Sequence, residues 1–210
     1  MKIGVIQAST RTDLNQLLFE AVKQAAGNQH EIVNFGVFPQ ETENCSYVEV
    51  AIMISLLIET GAIDFMVSGC SSGQGMMMAC NSLPGLQAGF IQTPQDAFLF
   101  GRINNGNVAS LSLGLNFGWA GELNLQYALN ELFHGEFGIG YPPEVAERKR
   151  EEAQLLLTLN DITKKSFLEI IDQLDEALLF KILKRKDLTA YLFDHGSNSL
   201  LLERLQFFRN

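Results

Sequence analysis

One short segment holds most of the chemistry this chain could perform: Phe65-Met66-Val67-Ser68-Gly69-Cys70-Ser71-Ser72-Gly73-Gln74-Gly75-Met76. An apolar run ends in a thiol, passes through small residues and opens into helical spacing. Small side chains let a ligand approach the backbone, and the free N–H groups at the positive end of a helix favour an anion or a developing enolate. Thiols in such places ionise more readily than free cysteine. A thiolate beside an oxyanion cradle can attack as a nucleophile, or act as a base that moves a proton from an acidic carbon. Residue types leave both open, together with a third reading in which Cys70 is merely a small residue at a tight turn. Cys80, on the following helix beyond Met76, Met77 and Met78, reads as core.

Other polar residues make weaker claims. Arg11 stands among Ser9, Thr10 and Thr12 in a strand–helix loop, a place suited either to an anion or to ordinary surface charge. The Arg148-Lys149-Arg150 run reads first as a solvated helix face. His134 could serve as an acid near neutral pH, but its spacing does not place it near Cys70, and His30 and His195 have less to recommend them. Asp96 and Glu122 sit where acidic residues suit a helix N-terminus. The three cysteines, Cys45, Cys70 and Cys80, are odd in number and lack zinc-ligand spacing, so reduced thiols are expected and neither a metal nor a cofactor is. Gly69-x-x-x-Gly73-x-Gly75 differs from the dinucleotide fingerprint. The Gln7–Thr12 loop could cradle an FMN phosphate in a flavodoxin-like alternative.

These residues need a scaffold, and the first two-thirds of the chain repeats short apolar runs followed by helical periodicity, the pattern of a parallel sheet wrapped by helices. Strands are expected at Lys2–Gln7, Glu31–Phe35, Phe65–Ser68, Gln87–Ile91 and Val108–Leu113, with helices at Asp13–Ala26, Val48–Thr60, Gly75–Asn81, Pro94–Phe100 and Ala120–Phe133. The fold class is therefore α/β: a Rossmann-like three-layer α/β/α sandwich with a five-stranded, mostly parallel sheet. Its ligand belongs beyond the carboxyl ends of the strands, where strand order reverses. After Tyr141-Pro142-Pro143 only helices are expected, over Glu144–Leu159, Asp161–Leu174, about Asp175–Arg185 and Ser199–Phe208, with Asp161 and Ser197 or Ser199 as N-caps. This divides the chain into a sheet domain, 1–141, and an α-helical C-terminal extension, 142–210, whose leucine-rich faces need a partner surface.

Composition agrees with a globular protein. Of 210 residues, 47% are hydrophobic and 19% charged, too apolar for a disordered chain. The apolar runs are too short to span a bilayer and the N-terminus lacks a signal-peptide layout, so a cytoplasmic location is expected. The net charge of −9 disfavours nucleic acid and anionic membranes as partners. Charge is uneven: residues 1–141 carry four cations, Lys2, Arg11, Lys23 and Arg102, against twelve acidic residues, and the remainder eleven against twelve.

The Cys70 segment resembles the ribose-5-phosphate isomerase B and galactose-6-phosphate isomerase family, whose motif of Cys, Gly-Thr-Gly-x-Gly-Met, then Asn ahead of Pro-Gly is matched by Cys70-Ser71-Ser72-Gly73-Gln74-Gly75-Met76, Asn81 and Pro84-Gly85. Asn104-Asn105-Gly106-Asn107-Val108 is similar to the family's Asn-x-x-Asn-Val, and the resemblance covers about residues 1–135. It implies metal-independent aldose–ketose isomerisation of a phosphorylated sugar through a cis-enediol. On that reading Cys70 shuttles the proton between C1 and C2, and Ser72 replaces the family threonine near the sugar oxygens. Amides of Ser71, Gly73, Gln74 and Gly75 hold the enediolate and Asn104 contacts the sugar, while Ser9 and Arg11 are the candidates for its phosphate. A homodimer or higher homo-oligomer with the site shared between subunits is also implied. The sequence departs from the family at two places: Ala8-Ser9 replaces an Asp-His pair, and Ile103 replaces the ring-opening histidine. These losses point either to a non-catalytic sugar-phosphate-binding descendant or to a small open-chain substrate, such as a tetrose 4-phosphate, that needs no ring opening.

Overall fold

The computed structural model describes residues 1–208. Five strands, β1 (Lys2–Gln7), β2 (Glu31–Asn34), β3 (Phe65–Cys70), β4 (Ala88–Ile91) and β5 (Val108–Ser112), pair in the order β2-β1-β3-β5-β4, and every pairing is parallel. The first of ten α-helices are α1 (Asn15–Ala26), α2 (Tyr47–Glu59), α3 (Gln74–Asn81), α4 (Pro94–Leu99) and α5 (Gly121–Phe133). Alternation along the strands sends side chains to both faces. From β3, Phe65 and Val67 join a core with Leu18 and Val22 of α1 and Leu125 and Leu129 of α5, while Met66 and Cys70 join the opposite core with α2 and α3. Cys70 therefore points toward the α2–α3 layer by the period of its own strand.

Local sequence accounts for the helix starts. Ser46 caps α2 and Thr93 caps α4, each in a reciprocal box with Glu49 and Asp96. The expected helix at Asp13 is preceded by a 3-10 turn over Ser9–Leu14, which winds the first strand–helix loop upon itself.

The C-terminal part contains α6 (Ala146–Thr163), α7 (Phe167–Ile171), α8 (Glu176–Leu183), α9 (Lys186–His195) and α10 (Ser199–Gln206). Asp161 lies inside α6 rather than capping a helix. Its neighbour Asn160 turns its amide to Leu86 O at 3.1 Å, and the next cap is Ser166. Asn198 caps α10, so neither Ser197 nor Ser199 does. The helix over Lys186–His195 was not anticipated; its polar start carries no capping side chain.

These helices complete the α2 layer. Phe167, Ile171, Leu179, Ile182, Leu188, Leu192, Leu201 and Leu205 belong to the same apolar cluster as Ile6, Met66 and Val108 of the sheet. α2 lies between them and the sheet, which explains why Val50 through Leu57 are all buried. Among the described residues no helix is long and apolar enough to cross a membrane.

Because Phe167 is 2% exposed within that shared core, Phe167→Ala is expected to cost about 3–5 kcal/mol and to shift one cooperative transition of the whole chain. Urea unfolding followed by far-UV circular dichroism checks this. An unchanged midpoint, or a separate helical phase that melts early, would contradict it.

Candidate active site

β1 and β3 are the strands between which the chain's winding reverses, and Gln7 is paired with Gly69 at their carboxyl ends. Directly beyond them lie the Ser9–Leu14 turn and the Cys70–Gly75 turn. Ala8 N–H donates to Gly69 O at 3.0 Å, so the two turns are adjacent.

Cys70 ends β3 and is 7% exposed. Its Sγ accepts the Gly73 N–H at 3.3 Å. Gly73 takes a left-handed conformation, φ +75°, which aims that N–H back at the sulfur and starts α3. A Cβ at Gly73 would lie 2.9 Å from Leu111 O, so the turn tolerates only glycine there. The first-turn N–H groups of Gln74 and Gly75 have no acceptor within α3. Lying beside the thiol, they form a cradle of the kind that can receive a negatively charged oxygen. Ser71 and Ser72 are exposed at its rim. The Ser71 carbonyl is fixed by Ser112 Oγ at 3.0 Å and Gly114 N–H at 2.8 Å, and the Gly73 carbonyl by Ser110 Oγ at 2.7 Å. The strand neighbouring β3 thereby sets the backbone of the cradle.

Ser9 and Arg11 are near the cradle but already engaged. Ser9 Oγ accepts the Cys45 N–H at 2.6 Å. Arg11 donates Nη1 to Leu113 O, pairs with Asp13 at 2.9 Å and lies over the Phe117 ring. Leu113 N–H in turn donates to Cys70 O at 2.9 Å, so Arg11 braces the segment beside the thiol. The other cations of residues 1–141 are elsewhere. Lys2 opens β1 at the far end of the sheet, Lys23 lies near Glu20, and buried Arg102 donates to Leu132 O and His134 O.

Asn104 is not beside Cys70 in the same chain. It precedes Val108, the first residue of β5, whereas Cys70 is paired with Ser112, the last. At about 3.3 Å per residue, roughly 13 Å of sheet separates their levels. Asn104 borders a cavity of about 490 Å³ under α6, with Gln87, Leu156, Asn160 and Lys164. Ile103 and Asn104 also face the exposed leucines Leu155, Leu156 and Leu159 of α6.

No histidine approaches the thiol among the described residues. His30 accepts from the N-terminal amine, His195 stacks on Tyr191 at 4.1 Å, and His134 ends α5. Arg148 and Lys149 pair with Glu152 on α6, and Arg150 donates to Ile139 O. Among the described residues no three His, Cys, Asp or Glu side chains cluster as a metal site. The residue that sequence reasoning missed is Tyr47. A Cβ on Gly75 would lie 3.4 Å from its ring, so this half-exposed aromatic stands over the start of α3. The Ser46–Glu49 capping box could have marked Tyr47 as opening a helix; nothing local links it to Gly75.

A sequence profile described as Ribose/Galactose Isomerase matches residues 3–130. A solved 4-deoxy-L-threo-5-hexosulose-uronate ketol-isomerase, complexed with a tartrate, superposes with a TM-score of 0.94 at 33% identity over 99% of each chain. A ribose-5-phosphate isomerase from Vibrio parahaemolyticus gives 0.93 at 32% identity, again over 99% of each. The type B ribose 5-phosphate isomerase of Trypanosoma cruzi shares the fold at 18% identity, with a TM-score of 0.64 over 77% of this chain and 99% of that one. Among curated proteins compared by sequence, none matches.

Burial pushes the Cys45 thiol up to about 11 and the Cys80 thiol up to about 12. Iodoacetamide at pH 8 is therefore expected to alkylate Cys70 first, leaving Cys45 and Cys80 to react only in denaturant. Peptide mass spectrometry reads the order, and early labelling of either buried thiol would contradict the arrangement.

Proposed function

From the premise that this chain belongs to the ribose/galactose isomerase family, we propose that it is a cytoplasmic, homodimeric aldose–ketose isomerase of an acyclic, acidic sugar, with Cys70 as its base. Residues 1–141 would carry the chemistry and 142–210 would form an extension. The observation that supports the base is the Cys70 sulfur held under the Gly73 N–H, next to the open amides of α3. The thiolate removes the proton from the hydroxyl-bearing carbon beside the carbonyl. The electron pair moves onto the carbonyl oxygen, giving an enediolate held by the Gln74 and Gly75 amides. Ser72 at the rim passes a proton between the two oxygens, and the Cys70 thiol returns its proton to the former carbonyl carbon. One proton leaves and one arrives, with no net oxidation and no metal required.

The acid group of the substrate is either a phosphate or a carboxylate. A phosphate dianion calls for unengaged cations, and within one chain Arg11 is already paired to Asp13. That favours a carboxylate substrate, of the kind acted on by the hexosulose-uronate ketol-isomerase to which this chain is 33% identical. Such a sugar also lacks the hydroxyls on C4 and C5 through which an aldose closes a ring onto C1. It therefore does without the ring-opening histidine that Ile103 replaces. Phosphorylated sugars are the second reading, supported by the 32% identity to a ribose-5-phosphate isomerase.

Asn104 would enter the site from a second subunit, since its own Cys70 lies at the opposite end of the sheet. The exposed leucines of α6 beside it would supply the apolar contact.

In deuterated water, NMR with the hexosulose-uronate, erythrose 4-phosphate and ribose 5-phosphate is expected to show turnover and C1/C2 deuterium incorporation fastest with the uronate. Cys70→Ala is expected to lower it about 10²–10⁴-fold. Faster turnover of ribose 5-phosphate would overturn the acyclic reading, and an unaffected Cys70→Ala would overturn the base. Binding that stabilises the protein without exchange would favour a non-catalytic sugar binder. Mixing inactive Cys70→Ala with inactive Asn104→Ala is expected to restore roughly a quarter of wild-type activity through mixed dimers; no recovery would place both residues in sites that do not cross subunits.

A further inference from the structure

Two cations at the α8–α9 junction, Lys181 in the last turn of α8 and Arg185 just before α9, reach back to the segment between β2 and α2. Arg185 donates Nη2 to Phe35 O at 2.7 Å and pairs with Glu41 through both Nη atoms; the same Glu41 carboxylate accepts the Phe38 N–H at 2.7 Å. Lys181 donates to Asn44 O at 2.7 Å and pairs with Glu49. Glu49 is also the capping-box residue of α2, and its other oxygen accepts the Ser46 N–H at 2.7 Å. Both ends of residues 35–46 are thus tied to one helix end in the extension.

The far side of that segment touches the Cys70 cradle. Cys45 exchanges two hydrogen bonds with Ser9, 2.6 Å to the hydroxyl and 2.9 Å from Ser9 N–H to its carbonyl. Tyr47, the first residue of α2, stands over Gly75. Between the clamp and the cradle there are only Cys45, Ser46 and Tyr47. Arg185 and Glu41 are both largely buried, with side-chain exposures of 17% and 24%, and such pairs hold geometry better than solvated ones.

We propose that Lys181 and Arg185 are positioning residues for the isomerase site. Through Glu49 and Glu41 they fix the segment that places Tyr47 against Gly75 and Cys45 against Ser9, and so set the width of the cradle that receives the substrate. Neither cation touches the reacting atoms. The inference rests on the isomerase reading for its kinetic consequence, and on geometry alone for its structural one.

The test compares Arg185→Ala, Lys181→Ala and Glu41→Gln with Arg204→Ala. The last removes an exposed pair with Asp172 elsewhere in the extension and serves as the control. Three quantities are read for each folded variant: kcat and KM separately, the rate of Cys70 alkylation by iodoacetamide, and hydrogen exchange of residues 38–47. The clamp variants are expected to lose roughly ten- to hundredfold in kcat/KM, since misplacements of about 1 Å have effects of that size. Their 38–47 amides should exchange faster and their Cys70 alkylation rate should change, while Arg204→Ala stays at the wild-type values. If Arg185→Ala fails to fold, Lys181→Ala, at a half-exposed side chain, and the near-isosteric Glu41→Gln decide the matter. Unchanged exchange and alkylation in the folded clamp variants overturn the proposal, as does an Arg204→Ala that reproduces their effects. Should the wild type turn over no sugar, the isomerase reading falls, while exchange and alkylation still decide whether the clamp sets the cradle.

Discussion

Backbone packed directly on backbone is the constraint around which this molecule is arranged. Where β3 gives way to α3, a Cβ at Gly69 would lie 2.4 Å from Leu111 O, and one at Gly114 would lie 2.6 Å from Ser71 O. Side chains are excluded from both contacts, so the Cys70 turn and the segment after β5 meet as bare peptide. That closeness lets Ser110 and Ser112 hold the carbonyls of Gly73 and Ser71, which leaves the N–H side of the same peptides facing outward. The cradle is thus a by-product of tight sheet pairing, made before any ligand is considered.

The charge distribution follows a similar logic. A sheet portion with four cations in 141 residues can spare few for a ligand, and this one uses Arg102 to hold the carbonyls at the C-terminal end of α5 and Arg11 to brace Leu113. The extension is richer in cations, and sets Lys181 against Glu49 in the first turn of α2 and Arg185 against Glu41 ahead of it. The two parts of the chain therefore exchange charge across their contact as well as apolar surface.

Much of this was legible in the sequence. The five strands fall within one or two residues of their expected places because doubly covered strands are short apolar runs, and the Cys70 turn was readable because its small residues have few other uses. The extension was harder. Asn160-Asp161 looks like a helix boundary, yet Asn160 finds its partner on Leu86 from a distant part of the chain and α6 continues through it. The helix over Lys186–His195 has no capping side chain and stayed hidden for that reason. Tyr47 and Gly75 are separated by most of α2 and β3, and only tertiary packing joins them. Asn104 illustrates the opposite limit: its motif is plain, but its placement at the far end of the sheet from Cys70 appears only once the strands are assembled.

The unbroken burial of Val50 through Leu57 gives α2 an unusual property. A helix at the surface of a sheet needs one greasy stripe, and its outward positions are free to vary. Here the outward positions are as apolar as the inward ones, because α7, α8 and α10 lie on top. The composition of this single helix therefore records the presence of a tail more than a hundred residues downstream. In a related chain, polar residues at every fourth position of the corresponding helix would mark a protein that ends before the tail, and a uniformly apolar one would mark a protein that cannot be shortened there without exposing an aggregation-prone surface.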